Sequence, residues 1–175
     1  IYDIDAFNNL VSDPSVDVIV WGVRGYPNAA RHPTMFGWVN AESDSIRSVS
    51  VKTPLGTPAS DPIVIGTFTF RRAADFRRAL DRLIAREGRI NGEFYIDSLI
   101  NDAIAIGLRC RLFEVDNYLC WGTPNDLRTF EYWQSCFHKW TSHPYRLQND
   151  ASISQSGLAS LETRYSAFSE LEVDR

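Results

Sequence analysis

The sequence predicts an α/β fold with a mainly parallel sheet and an antiparallel element near residues 36–52. Segments with the apolar spacing of helices alternate with short segments rich in β-branched and aromatic residues. Two predicted strands, 16–23 and 63–70, are nearly continuous apolar runs, which is typical of strands covered on both faces. With 175 residues, 44% of them hydrophobic, the chain can bury one substantial core.

The start of the chain predicts one helix, one strand and one loop. The apolar spacing of residues 4–11 predicts a short amphipathic helix, and the Asp-Pro pair that follows ends it. Residues 16–23 predict a buried strand. A glycine and two prolines within residues 25–33 exclude a long regular element, so we predict a loop there.

Three further strands and loops follow. Residues 35–39 and the alternating residues 45–52 predict two strands joined by a short turn. Three prolines and a glycine predict that residues 53–62 form a surface loop. Residues 63–70 predict a second buried strand, which one glycine interrupts.

The second half of the chain predicts three helices and a strand. One helix carries an apolar stripe from Phe76 to Ile84 and ends at Gly88. Another begins near Ile96 and ends at Gly107, and residues 108–115 form a strand after it. The third begins at Thr123 with a hydroxyl, a proline and a carboxylate in the order typical of a helix start. Its predicted core face consists of Leu127, Phe130, Trp133, Phe137 and Trp140.

The end of the chain predicts a change in organisation. Residues 149–164 are rich in Ser, Gln and Asn, so we predict one domain over residues 1–147 and a polar tail or linker over 148–175. If that tail leaves the aromatic residues of the last helix uncovered, they offer an apolar surface for a homo-oligomer. The chain begins at Ile1 close to a helix, which indicates a piece of a longer protein.

Composition and charge argue against several classes of partner. A net charge of −4 argues against a nucleic-acid surface, and we interpret the arginine-rich run 71–86 as the solvated face of a helix. No apolar run is long enough to span a bilayer, and no charged-then-apolar signal pattern is found. Cys110, Cys120 and Cys136 lack metal-ligand spacing. We therefore expect a soluble, cytoplasmic protein with neither a nucleic-acid nor a membrane partner.

Five short motifs occur in order within residues 1–145. They are Phe36-Gly37-Trp38-Val39, Val49-Ser50-Val51-Lys52, Gly66-Thr67-Phe68-Thr69-Phe70, Asn91-Gly92-Glu93-Phe94-Tyr95-Ile96 and Trp121-Gly122-Thr123-Pro124. Together they resemble the carboxyl-terminal half of the sugar-1-phosphate nucleotidyltransferases, or NDP-sugar pyrophosphorylases. The resemblance implies a glycosyltransferase-A-like, Rossmann-type fold. It also implies transfer of a nucleotidyl group from a nucleoside triphosphate to a sugar 1-phosphate, with release of pyrophosphate and with Mg²⁺ as cofactor.

The resemblance implies four substrate-binding positions. Gly37 and Gly66 would let the sugar approach the backbone. Lys52 would contact the sugar phosphate and is the predicted catalytic residue, since a compact cation neutralises phosphate oxygens. Glu93 would accept hydrogen bonds from sugar hydroxyls. Without the resemblance, Lys52 is a surface lysine at a strand end, Gly66 is a bulge and Glu93 is a carboxylate at a helix start.

Two departures from the family pattern limit the predicted activity. Where many relatives have a metal-binding aspartate, this sequence has Cys120, and a thiol is a poor ligand for Mg²⁺. Asp116, at the end of the predicted strand, is the substitute metal ligand, with a capping or turn role as the alternative. The glycine-rich nucleotide loop of the amino-terminal half does not occur in the chain. We therefore expect most of the nucleotide-binding half to be lacking and this fragment alone to be inactive.

Three functions are compatible with these features. The first is the sugar-binding part of a nucleotidyltransferase in polysaccharide precursor synthesis. The second is a non-catalytic module that binds a sugar phosphate or nucleotide sugar, or that mediates assembly; Cys120 and the missing loop favour it. The third is a metal-dependent glycosyltransferase, for which Asp3-Ile4-Asp5 has the right spacing but opens a helix. No serine or cysteine has a nucleophile signature, so we do not expect nucleophilic catalysis.

Overall fold

The computed structural model describes residues 1–167, which divide between two compact units, Ile1–Tyr118 and a second that begins at Leu119. The predicted domain boundary between residues 147 and 148 stays a prediction, whereas the division in the structure falls after Tyr118. Residues 168–175, the end of the predicted polar tail, lie outside the described part of the chain.

The first unit is built from four helices and five strands in the described chain. In order they are α1 (Ile4–Ser12), β1 (Val18–Val23), α2 (Pro27–Arg31), a 3₁₀ turn (Pro33–Met35), β2 (Gly37–Glu42), β3 (Ser45–Val51), β4 (Ile63–Phe70), α3 (Ala73–Ala85), α4 (Ile96–Ala105) and β5 (Cys110–Glu114). These elements confirm the predicted types, with one exception. The segment 25–33, predicted as a loop, contains α2. Pro27 is compatible with this helix because it occupies the first helical position, where a missing N–H costs no hydrogen bond.

The five strands close into a ring in the order β1, β4, β2, β3, β5 and back to β1. Of the five neighbouring strand pairs within residues 1–167, β1 and β5 run parallel and the other four pairs are antiparallel. The prediction of a mainly parallel sheet is therefore wrong, while the antiparallel pair β2 and β3 is confirmed.

The apolar run of β1 misled the prediction because this strand separates two cores. Every residue of β1 is buried. Val18 and Val20 join one core with residues of α3 and α4, whereas Ile19 and Trp21 join another that contains Trp38. A strand covered on both faces therefore indicates two flanking cores and says little about the direction of its neighbours.

Two buried carboxylates form ion pairs with most of the arginines in the run 71–86. Asp75 on α3 and Asp102 on α4 are each 2% exposed, so their charges need close partners. The partners are Arg72 and Arg78 for Asp75, and Arg82 and Arg86 for Asp102. The arginines do lie on exposed positions of the helix, but four of them neutralise buried charge rather than only facing solvent.

The second unit contains α5 (Pro124–Lys139), a 3₁₀ turn (Leu147–Asn149) and α6 (Gln155–Ser166) in its described part. The predicted start of α5 is confirmed by a capping box, in which Thr123 and Asp126 satisfy each other's backbone N–H groups. Most of α6 falls within residues 149–164, which the sequence predicts as a loose tail. The Ser154 side chain caps α6 by accepting from the backbone N–H of Gly157.

Four of the five residues of the predicted core face of α5 are exposed, and the fifth, Phe130, is half-buried. Trp133 and Trp140 are 52% and 56% exposed, whereas Ser135 is buried and its hydroxyl donates to the Tyr165 carbonyl at 3.3 Å. Tyr165, on α6, is 1% exposed, so the described contacts of α5 with α6 use its polar side. The predicted homo-oligomer on the aromatic face stays a prediction. Within residues 1–167, no helix combines the length and apolar character needed to cross a bilayer.

Candidate functional site

Lys52 follows β3 directly and has an unusual backbone conformation. Its φ of 61° lies in the left-handed region, which costs a residue with a side chain about 1–2 kcal/mol. The backbone N–H of Lys52 donates to the Phe36 carbonyl at 3.0 Å, which keeps it beside the start of β2. Ser43, Glu87 and Asn91 also have a positive φ, so the conformation fixes the backbone of Lys52 and does not by itself assign a role to its side chain.

The turn at Asn91-Gly92 positions Glu93. Ile90 and Glu93 exchange both backbone hydrogen bonds, at 2.8 and 3.0 Å, so the two residues between them form a two-residue hairpin loop. Asn91 and Gly92 have φ values of 52° and 83°, as a type I′ turn requires. Asn-Gly is the residue pair that favours this turn most strongly. Glu93 is therefore placed by a tight turn and not by a flexible loop.

Tyr95 contacts both Lys52 and Glu93. The Lys52 Nζ lies over the Tyr95 ring, 5.6 Å from its centre, which is a cation–π contact. The Tyr95 hydroxyl donates to Glu93 Oε2 at 2.6 Å. The structure thus brings the predicted residues Lys52 and Glu93 to one ring, although they are far apart in the sequence. Their roles in binding stay predictions.

Asp97, in the first turn of α4, lies against Gly37 at the start of β2. A Cβ placed on Gly37 would lie 2.2 Å from Asp97 Oδ2, far inside contact distance. Gly37 is buried, so the absence of a side chain there makes room for Asp97. The predicted reason for a glycine at this position, the approach of a sugar to the backbone, stays a prediction.

The pKa of Asp97 is shifted from its ordinary value by the surroundings of its carboxyl group. Burial raises the pKa of this carboxyl group above its ordinary value, while its own backbone N–H and the charge of Lys52 oppose the rise. Lys52 and Asp97 are thus close enough to interact electrostatically. They do not form an ion pair, so Asp97 leaves the ammonium group of Lys52 available.

The side chain of Lys52 is only lightly engaged. Its ammonium group donates to the Met35 carbonyl at 3.4 Å, and it forms no ion pair with a carboxylate in the described part of the chain. The arginines beside Asp75 and Asp102 are committed to buried carboxylates. Lys52 therefore offers a positive charge that a phosphate group could neutralise.

Gly66 lies at an irregular point in β4. Val20 pairs with Phe68 and Gly22 with Val64, so three residues of β4 face one residue of β1 and the strand bulges. Gly66 has a φ of 83°, and a Cβ placed on it would meet no atom within 4 Å. The structure therefore supports a bulge at Gly66, with an exposed backbone. Its predicted contact with a sugar stays a prediction.

Asp116 does not belong to a cluster of three or more potential metal ligands within the described residues, and its predicted role as a metal ligand stays a prediction. It follows β5, its side chain is exposed, and its backbone N–H donates to the Ile1 carbonyl at 3.1 Å. Residues 1–167 contain no group of three or more His, Cys, Asp or Glu side chains arranged to hold a metal ion. The residues present therefore do not fit a protein-built Mg²⁺ site, although Mg²⁺ can bind through one carboxylate and substrate phosphates.

Tyr95 and Asp97 are not among the site residues predicted from the sequence. Both belong to the helix entry that follows Glu93, and Asn91-Gly92 ahead of them is a strong turn signal. That signal shows where the chain reverses. The contacts of Tyr95 and Asp97 with the distant residues Lys52 and Gly37 depend on the folded arrangement of β2, β3 and α4.

Comparison with known proteins shows similarity at the level of the fold. No protein-family model matches the sequence, and no curated protein matches it. The crystal structure of the nucleoside-diphosphate-sugar pyrophosphorylase from Vibrio cholerae RC9 is similar, with a TM-score of 0.55 and 20% sequence identity over 74% of this chain and 49% of that chain. The chain thus has a fold like that of this pyrophosphorylase over the part that the two share.

A second solved structure is more distant. The structure of CMP:2-keto-3-deoxy-manno-octonic acid synthetase complexed with CTP gives a TM-score of 0.46 and 18% identity, over 71% of this chain and 51% of that chain. The chain spans about half of the length of each of these two proteins.

Proposed function

We propose that this chain binds a sugar 1-phosphate and takes part in the transfer of a nucleotidyl group to it from a nucleoside triphosphate. One observation carries the proposal. An ammonium group and a carboxylate, on Lys52 and Glu93, contact the same Tyr95 ring. A phosphorylated sugar has an anionic end and a hydroxyl-rich end, which these two groups can bind at the same time.

Lys52 suits the phosphate end of the ligand. Its ammonium group has no carboxylate partner among residues 1–167, so phosphate binding would not have to break an ion pair. The left-handed backbone of Lys52 is costly for a lysine, and glycine or asparagine would adopt it more easily. Lys52→Gly would therefore remove the amine without straining the backbone.

Glu93 suits the hydroxyl end of the ligand. A carboxylate has about four acceptor sites, and the Tyr95 hydroxyl uses one of them. The remaining sites can accept hydrogen bonds from neighbouring sugar hydroxyls, and such bonds to an ionised acceptor are among the stronger ones in proteins. The side chain of Glu93 is exposed, so a ligand can reach it.

The proposed reaction needs no nucleophile from the protein. A phosphate oxygen of the sugar 1-phosphate attacks the α-phosphorus of the triphosphate. A new P–O bond forms while the bond to the β-phosphate oxygen breaks, and pyrophosphate leaves with that electron pair. The protein contributes positioning and neutralisation of the two anions, which is the role proposed for Lys52. Mg²⁺ belongs to this proposal as the counter-ion of the triphosphate, with Asp116 as its proposed ligand.

A non-catalytic function is the second candidate. The described residues contain no acidic cluster that could hold a metal ion, and Cys120 stands where the family resemblance implies an aspartate. A chain with the Lys52 and Glu93 pair but without a metal site could bind a sugar phosphate and release it unchanged. Binding is common to both candidates, and turnover separates them.

The test uses two matched glycine substitutions. Lys52 and Glu87 both have positive φ, so Lys52→Gly and Glu87→Gly each place glycine where it is favoured. Calorimetric titration with a panel of hexose 1-phosphates should show that Lys52→Gly binds about tenfold more weakly than the wild type or worse. Glu87→Gly should bind like the wild type, because Glu87 lies at the end of α3.

Equal affinity of Lys52→Gly and the wild type would contradict the proposal, as would the absence of any binding by the wild type. Pyrophosphate release is then measured with the bound sugar 1-phosphate, nucleoside triphosphates and Mg²⁺. Release would support nucleotidyl transfer. Binding without release, both by this chain and by one extended towards the amino terminus, would favour the non-catalytic module.

A further inference from the structure

We propose that Tyr95 is a positioning residue that holds the Lys52 amine and the Glu93 carboxylate at a fixed separation for one ligand. The inference rests on the function proposed above for these two side chains. The inference assigns separate roles to the ring and the hydroxyl group of Tyr95, so each role can be removed by its own substitution.

The ring of Tyr95 is anchored. Tyr95 is the N-cap residue of α4, with an extended backbone at φ −112° and ψ 136°. Its half-buried side chain packs against the core that contains Leu99 and Ile100 of the same helix. A ring fixed in this way can restrict a long, flexible side chain such as that of Lys52, which otherwise has several rotatable bonds.

The two tasks use different parts of the tyrosine. The face of the ring attracts the Lys52 ammonium group at 5.6 Å, and a phenylalanine ring would keep this contact. The hydroxyl restrains Glu93 through its 2.6 Å hydrogen bond, and only tyrosine can provide it. The bond to Glu93 also raises the pKa of the Tyr95 hydroxyl, which is consistent with a phenol that donates to a carboxylate.

The neighbouring Phe94 provides a matched control. Its ring also contacts a cation, since the Arg89 guanidinium lies 4.0 Å from the ring centre. Phe94 is more exposed than Tyr95 and is not part of the contact between Lys52 and Glu93. A substitution at Phe94 therefore removes an aromatic ring from the same short segment without affecting the proposed task.

The binding experiment compares Tyr95→Phe, Tyr95→Leu and Phe94→Leu. Each is titrated with inorganic phosphate and with the hexose 1-phosphate that the wild type binds best. Tyr95→Phe should bind inorganic phosphate like the wild type but the hexose 1-phosphate about fivefold more weakly. Tyr95→Leu should bind both about fivefold more weakly or worse. Phe94→Leu should match the wild type for both.

A ligand-free measurement separates positioning from a loss of fold. The ring current of Tyr95 should shift the methylene protons next to the Lys52 amine upfield in nuclear magnetic resonance spectra. The shift should persist in Tyr95→Phe and disappear in Tyr95→Leu, while the core resonances of Leu99 and Ile100 stay in place.

Each outcome decides the inference. Lys52 shifts that are the same in Tyr95→Leu and the wild type would overturn it, as would unchanged hexose 1-phosphate affinity in both Tyr95 variants. If the wild type binds neither probe, the proposed function fails as well. Normal wild-type binding with insensitive Tyr95 variants would overturn the role of Tyr95 alone.

Discussion

The carboxyl group of Asp97 occupies the space that a side chain at Gly37 would need. The two residues are far apart in the chain, and they meet where α4 begins beside the start of β2. A Cβ on Gly37 would approach Asp97 Oδ2 to 2.2 Å and Cγ to 3.1 Å, but Asp97 Cβ only to an ordinary 3.5 Å. The conflict is thus confined to the carboxyl group, which makes it testable by paired substitution.

Gly37→Ala should destabilise the first unit, and Asp97→Ala should remove most of that effect. Overpacking a buried site costs about 1–3 kcal/mol, so we expect the free energy of unfolding to fall by about that amount in Gly37→Ala. In the Asp97→Ala background, the added methyl group has an ordinary contact and should cost less. Urea denaturation of the four chains in a double-mutant cycle measures this coupling.

Gly56→Ala serves as the control for this cycle. A Cβ on Gly56 would meet no atom within 4 Å, and the residue lies in the loop between β3 and β4. It should have little effect on stability. If Gly37→Ala costs the same with and without the Asp97 carboxyl group, the close approach does not determine the choice of glycine.

Ser98→Ala should stabilise the protein. Ser98 is 3% exposed, and its hydroxyl has no hydrogen-bond partner within residues 1–167. A buried polar group without a partner carries a desolvation cost, so we expect the free energy of unfolding to rise by about 1 kcal/mol. Thermal and urea denaturation measure the change.

Ser135→Ala is the matched substitution with the opposite expected sign. Ser135 is also buried, but its hydroxyl donates to the Tyr165 carbonyl at 3.3 Å. Its removal should lower stability by about 1 kcal/mol. A Ser98→Ala chain that is less stable than the wild type would show that the Ser98 hydroxyl does make a stabilising contact.

The pair of Asp17 and Arg109 should stabilise the fold in a pH-dependent manner. Hydrogen bonds from Arg109, chiefly from its side chain, lower the pKa of Asp17 from 3.8 to about 2. Because the folded-state pKa lies below the ordinary value, this stabilisation is present above about pH 4 and is lost as the pH falls through about 2. The free energy of unfolding, measured across this range, should therefore decrease more steeply in the wild type than in Asp17→Asn.

Arg109→Gln checks that the paired guanidinium is the cause. It removes the partner and leaves the Asp17 carboxyl group in place, so the pH dependence due to Asp17 should shrink towards that of Asp17→Asn. Arg109 is about half exposed, and solvent screening reduces what the pair contributes. An unchanged pH profile in Arg109→Gln would assign the lowered pKa to other groups.

Local chemistry made the element types predictable. The capping box at Thr123 involves only residues within one helical turn, and the glycine after α4 takes a positive φ of 85° that ends the helix. Such signals depend on residues that are close together in the chain, so they can be recognised from the sequence alone. The motifs around Lys52 and Glu93 were also visible, because each belongs to one short segment.

Long-range arrangement was not predictable in the same way. Strand direction in the sheet depends on which strands become neighbours, and the covered strand β1 gave the same apolar run that a parallel strand would give. The contact of Tyr95 with Lys52 depends on the left-handed backbone at Lys52. The buried side of α5 depends on α6, in a segment whose composition resembles a tail.

Tyr165→Ala should destabilise the second unit far more than Trp133→Ala. Tyr165 is 1% exposed, and its hydroxyl donates to the Gln134 side chain, whereas Trp133 is 52% exposed on the opposite, aromatic face of α5. Truncating a buried aromatic residue costs about 3–5 kcal/mol, and an exposed one should cost about 1 kcal/mol or less. Hydrogen exchange of the amides of α5 measures the local stability in each variant. Equal acceleration of exchange in both variants would show that the aromatic face of α5 is buried and that the sequence pattern was the better guide.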